Sequence, residues 1–268
     1  MQTRRNALVC LFACFAVGAL IATPDSADAA ESFADELGFG VFLAMLALAL
    51  AARSPLGLSA RLGLGPSRFS WGVLALVVLG TLSLSFALDG VYRIFASQEN
   101  SIVSRFEAEL AGIRGRALAF ALLSFALAPG VAEELLCRGL LQRGLQARYG
   151  AVTAILLASL FFGALHLDPI YSLLAAVLGL YLGSIAYLAG SVRPSIACHV
   201  VNNAVAVVGA SVIPEFGRAA TLWIALAGVI SLGVLGGLWH RLGAPPVAAV
   251  SRGPGGTGLQ RRAGSDDS

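Results

Sequence analysis

Residues 117–138 read ALAFALLSFALAPGVAEELLCR, and this stretch decides the fold class. Most of it is apolar enough for hydrocarbon, yet it closes on Glu133, Glu134 and Arg138. A spanning helix needs about 20 mostly apolar residues. Ionisable groups near its centre cost about 2.5–3.5 kcal/mol each, so they are kept where they do something. Glu134 and Arg138 are four residues apart, on one helical face, with the acid on the N-terminal side, the better-paired orientation. They are expected to act structurally, as a charge pair holding the helix end. Pro129 and Gly130 precede the acids by one turn. Proline has no N–H to close on the carbonyl four residues back, so the helix should kink or open there, freeing a carbonyl and leaving room for water.

The remainder of the 268-residue chain is of the same kind: 57% of residues are hydrophobic, 12% are charged and the mean hydropathy is +0.82. A soluble domain carries about 25% charged residues, so too few are present here to cover a water-facing surface. Apolar runs fall at about 7–22, 34–52, 70–88, 117–137, 151–166, 170–189, 194–213 and 219–239. Lipid leaves every backbone group to be satisfied internally, which makes these runs helices. The expected fold is all-α, a polytopic transmembrane bundle of seven or eight spans around a polar intramembrane cavity.

The chain divides accordingly. Residues 1–30 suit a secretory signal, with Arg4–Arg5, an apolar core and Ala27-Asp28-Ala29 as a cleavage site, and suit an uncleaved first helix equally. Residues 31–109 hold flanking spans and a polar stretch over 89–116, read as a solvent loop plus an interfacial amphipathic segment. Residues 110–215 form the core, 216–242 the last span, and 243–268 a Gly-, Pro-, Arg- and Ser-rich tail expected to be disordered. There is no internal repeat. Arg4–Arg5, then Arg53, Arg61 and Arg68, then Arg138, Arg143 and Arg148, then Arg193, then Arg241 fall on one side if each run spans once, whereas Asp35–Glu36, the 89–116 loop, Asp168 and Glu215 fall on the other. The basic side, with the tail, is assigned to the cytoplasm. The same rule explains the net charge of +3 without a nucleic-acid partner. Cys10, Cys14, Cys137 and Cys198 lie in apolar segments and read as small buried hydrophobes. Trp71, Trp223 and Trp239 sit near run ends, as interfacial anchors do, and His240 beside Arg241 reads as a membrane-edge residue.

Two further segments join the acids. One reads Phe161-Phe162-Gly163-Ala164-Leu165-His166 and the other Cys198-His199-Val200-Val201-Asn202-Asn203. Phe162 shares a helical face with His166, and His199 shares one with Asn203. The midpoint between Glu133 and His166 is the turn at Tyr149–Gly150, so a hairpin folded there brings acid and imidazole to equal height. A carboxylate, two imidazoles and a carboxamide in a dry cavity suit hydrolysis. Glu133 would act as base for water and a neighbouring imidazole would orient that water. His199 and Asn203 would donate to the developing oxyanion, a role worth about 3 kcal/mol per donor. In a second version Glu133, His166 and His199 hold a divalent metal such as zinc, which activates the water. Spacing does not separate the two. Taken singly, His166 reads as a packed histidine and Asn203 as a helix–helix hydrogen bond of about 0.6 kcal/mol. Asp168 reads either as an acceptor orienting His166 or as a plain loop residue before Pro169. At about 1.5 Å per residue, His166 lies about 25 Å from the turn at 149–150 and His199 only about 13 Å from the turn near Gly190. For the two to meet, the first hairpin must project beyond the second or a helix must break.

The ordered motifs Glu133-Glu134-x-x-x-Arg138, Phe162-x-x-x-His166 and His199-x-x-x-Asn203 resemble those of the CAAX prenyl endopeptidase and bacteriocin-processing family of intramembrane proteases. The resemblance covers roughly residues 110–215. It implies that Glu133 activates water, His166 assists, and His199 with Asn203 stabilises the oxyanion. It also implies a membrane-associated peptide or protein substrate, a surrounding lipid bilayer and an integral place in a bacterial plasma membrane with the tail cytoplasmic. No His-Glu-x-x-His, Gly-x-Ser-x-Gly or Gly-x-Gly-Asp marks another intramembrane protease class. The rivals are a non-catalytic partner on the same fold, such as a bacteriocin-immunity or scaffold protein, and a transporter with a protonatable pocket.

Overall fold

A computed structural model describes residues 27–95, 101–212 and 221–242, with side chains from 32 in the first of these segments and from 229 in the last. Every regular element in it is helical. In chain order these are α1 (Ala27–Ala52), the single turn α2 (Leu58–Arg61), α3 (Trp71–Phe95) and α4 (Ile102–Leu110). Then come α5 (Gly115–Tyr149), α6 (Ala151–Ala164), α7 (Pro169–Ala189), α8 (Arg193–Val212) and α9 (Thr221–Leu242). The boundaries follow local chemistry. Ser101 caps α4 through its Oγ, which accepts from Ser104 N at 3.1 Å. Gly150 reverses the chain after α5 at φ +80°, and Gly190 ends α7 in the left-handed region.

Five of these helices are long and apolar enough to cross a bilayer: Ser32–Ala52 within α1, then α3, α5, α7 and α8. The seven or eight spans expected from hydropathy are not reached among the described residues. The run at 7–22 lies outside them, α6 has 14 residues, and the apolar stretch described with side chains in α9 is Val229–Leu242. The tail and Cys10, Cys14 and Glu215 likewise lie outside, as does the Trp223 side chain, whereas Trp71 and Trp239 are exposed near helix ends.

The apolar run read as ending near 137 instead continues as one 35-residue helix, α5, to Tyr149. Its polar second half is tolerated because it is paired. Arg138 Nη2 donates to Gly179 O at 3.0 Å and Gln142 Nε2 to Gly183 O at 2.9 Å. Both pairs step by four residues, so α5 and α7 are laced along one face. The expected mismatch of heights is resolved by projection. Gly139 packs on Leu62, and Val192 N donates to Gly63 O at 3.0 Å, so residues near 139 lie level with the turn at 190–192. Arg143–Tyr149 therefore extends beyond that turn by about 10 Å.

Helices α6 and α7 form a tight hairpin, α9 lies along α3, and α8 packs on both halves of the α5 centre. The close approach of α8 needs Gly130. A Cβ there would stand 3.0 Å from Val200 N and 2.7 Å from Val200 Cγ2. Gly130→Leu is expected to push α8 away and lower stability by roughly 1–3 kcal/mol. Thermal unfolding in detergent checks this. Gly72→Ala, at an open position, should leave the midpoint in place.

Candidate active site

The acids sit where α5 is least regular. Ala128–Glu134 is about two α-helical turns between two π-helical segments, Leu122–Leu127 and Leu135–Gln142. Such widened segments recur at functional sites because they redirect side chains without ending the helix. Pro129 supplies the local cause of the first. It has no N–H for Phe125 O, four residues back, and Asn203 Nδ2 donates to that oxygen instead, at 3.2 Å. The carboxamide of α8 is thus anchored by the carbonyl that proline frees in α5. Its Oδ1 accepts from Asn202 Nδ2 at 3.3 Å. One Nδ2 hydrogen of Asn203 is left over.

Glu134 and Arg138 do not hold a helix end, as the sequence led us to expect. They are 0% and 1% exposed, in the middle of α5. Glu134 Oε1 accepts from Arg138 Nη1 and also from His199 Nδ1, the latter at 3.2 Å. The Arg138 guanidinium lies 4.4 Å over the Phe162 ring. Phe162 in turn meets His199 edge-on at 5.5 Å and His166 at 5.2 Å, centroid to centroid. Because Glu134 accepts as a carboxylate, Nδ1 of His199 carries the proton. Nε2 is left turned toward Glu133, 4.0 Å from its Oε2.

His166 lies in the short connection between α6 and α7. Its Nδ1 is 3.1 Å from Phe162 O, so that nitrogen donates to the carbonyl and Nε2 keeps a lone pair. The imidazole also packs on Tyr171, ring centroids 5.2 Å apart. The next residue, Leu167, holds φ +58°, a conformation that costs a non-glycine residue energy and persists only where surrounding structure imposes it. Asp168 is neither an acceptor for His166 nor a plain loop residue. It caps α7, Oδ1 accepting from Tyr171 N at 2.7 Å ahead of Pro169.

Glu133, His166, His199 and Asn203 all line one cavity of about 630 Å³ whose wall mixes polar and apolar groups. Glu134 and Arg138 stand behind it. Among the lining residues not singled out from the sequence are Glu36 on α1, Tyr171 on α7 and Asn202 on α8. A signal existed for two of them. Glu36 is an acid inside the apolar run 34–52, the same anomaly that marks Glu133, and Asn202 adjoins Asn203. Tyr171 gave none. The metal alternative does not fit: among the described residues no three His, Cys, Asp or Glu side chains converge to hold an ion, Glu133, His166 and His199 included.

The chain is thus all-helical over the described residues, with five helices long and apolar enough to cross a bilayer and with carboxylate, imidazole and carboxamide groups lining one cavity. Comparison with protein families gives one match. Residues 115–205 match the Rce1-like family, type II CAAX prenyl endopeptidase Rce1-like. That segment runs from the start of α5 into α8 and contains all three motifs. No curated protein and no solved structure gives a match.

Removing one member of the buried pair leaves the other charge stranded. Arg138→Leu is expected to cost about 3–5 kcal/mol of stability, and Glu134→Gln combined with Arg138→Met substantially less. Unfolding of the purified variants in one detergent tests this. Equal losses for the single and double variants would contradict it.

Proposed function

We propose that this chain is an intramembrane endopeptidase that hydrolyses a membrane-associated peptide or protein with water activated by Glu133. The reading rests on one observation, the common cavity shared by Glu133, His166, His199 and Asn203, and is supported by the family match over 115–205.

The chemistry follows from the donors and acceptors available. Water sits between the Glu133 carboxylate and Nε2 of His166, both acceptors, so its oxygen lone pair is free to attack the scissile carbonyl. Glu133 takes the water proton as the new C–O bond forms. The carbonyl oxygen becomes an oxyanion and needs donors in place before the charge appears. The remaining Nδ2 hydrogen of Asn203 is one. His199, held at Nδ1 by Glu134, supplies the other through Nε2 when that nitrogen carries a proton. As the tetrahedral intermediate collapses, the C–N bond breaks and the departing amine takes the proton held by Glu133, which restores the carboxylate. A dry setting strengthens each of these contacts. No step is routed through a metal.

Cleavage of a membrane-protein substrate by purified protein is expected to fall by about 10²–10⁴-fold in Glu133→Gln and His166→Ala. For Asn203→Ala the expected loss is about 10²–10³-fold. Each variant should keep the wild-type elution profile and helical content. Wild-type turnover by Glu133→Gln would falsify the mechanism.

A further inference from the structure

Helix α8 sends more than its two motif residues into the cavity. His199, Asn202, Asn203, Val205, Ala206 and Ala210 all line it, so the polar groups of this wall lie between 199 and 203 and the rest is apolar. Asn202 stands three residues after His199 and so shares its helical face. It is 9% exposed, yet its side chain makes a single hydrogen bond, Nδ2 donating to Asn203 Oδ1 at 3.3 Å. No described residue donates to its Oδ1. That oxygen is not sealed in protein, as the unpartnered Ser124 Oγ and Gln142 Oε1 are, but faces the open space of the cavity. A carboxamide oxygen has two lone pairs, and an acceptor stripped of partners is unfavourable. The hydrolytic steps above make no use of this residue.

Side by side, the two carboxamides complement a peptide main chain. Asn203 presents an N–H, its leftover Nδ2 hydrogen, and Asn202 presents an acceptor beside it. In an extended peptide a residue's own N–H and C=O point to the same side, which is how antiparallel strands exchange pairs of hydrogen bonds. We infer that Asn202 is a substrate-binding residue: its Oδ1 accepts from the main-chain N–H of the residue whose carbonyl is attacked, while Asn203 donates to the oxygen of that carbonyl. The contact between the two side chains fixes which end of Asn202 is the acceptor, because turning its amide over would set oxygen against Asn203 Oδ1. The pair selects an extended backbone at the point of cleavage and is indifferent to the side chain there. Proline is the exception, since it has no N–H to give. That the bound peptide is a substrate rests on the hydrolase reading above; that this pair grips an extended main chain does not.

An ester scan tests this with the full chain in detergent. A membrane-anchored peptide is made in its all-amide form and as a set in which one backbone amide at a time becomes an ester, which keeps the shape and loses the N–H. For the ester that removes the N–H of the residue supplying the scissile carbonyl, wild-type kcat/KM is expected to fall about tenfold. Asn202→Ala should cleave those two peptides at rates within about twofold of each other. Asn202→Leu, close to asparagine in volume, gives the same readout if the alanine variant is unstable. No ester effect in the wild type, or an equal one in the variants, overturns the inference; in the second case Asn202 acts only by holding Asn203 and its loss slows every peptide alike. Binding of the same peptides to Glu133→Gln keeps the two readings apart. One ester position should weaken binding about tenfold there, and Glu133→Gln combined with Asn202→Ala should lose the discrimination. That binding pattern without any wild-type cleavage sinks the hydrolase reading and leaves the main-chain grip standing. Cleavage by the wild type with no ester discrimination in either assay sinks the grip and leaves the hydrolase.

Discussion

The buried ion pair between Glu134 and Arg138 is what the rest of the site leans on. Two opposite charges taken out of water are tolerable only when their other hydrogen-bonding positions are also filled. Filling them recruits three more helices. Arg138 reaches the Gly179 carbonyl of α7 and the Phe162 face of α6, and Glu134 holds the Nδ1 side of His199 on α8. A charge pair in one helix therefore fixes the relative height and rotation of four. His199 is aimed at Glu133 as a by-product of satisfying Glu134. The filling is not complete, since among the described residues Arg138 Nε has no hydrogen-bond partner.

Backbone irregularity does the second half of the positioning. A regular α-helix hides its carbonyls, and hydrocarbon punishes any that are left bare. Pro129 leaves Phe125 O without its helical donor, and Asn203 supplies one from α8. The flanking π-helical segments let α5 remain a single helix while its acids turn inward. Close packing then demands small residues. Gly130 admits the α8 backbone, and Gly163 lies against the Ser172 carbonyl and Ala176 of α7, so side chains there would separate the helices that carry the site.

Much of this could be read from residue types alone. Hydropathy marked the spans, the i and i+4 spacings placed Glu134 with Arg138 and Phe162 with His166, and the proline signalled a freed carbonyl before the acids. What could not be read was which groups would meet across helices. Glu134 looked like a helix-end partner because nothing local says that α5 runs on to Tyr149; its continuation depends on Gly179 and Gly183, some 41 residues further along. Asp168 seemed near enough to His166 to orient it, but the backbone N–H of Tyr171 claims its carboxylate first.

The amino-acid order by itself determined an all-helical chain suited to a membrane and the identity of its candidate site residues. It did so because solvent preference and helical periodicity are local properties, legible one segment at a time. The tertiary structure alone decided that Glu133, His166, His199 and Asn203 share one cavity and that three of them do not form a metal-ligand set. Those outcomes depend on how far one hairpin projects past another, and that is set by contacts between residues distant in the chain.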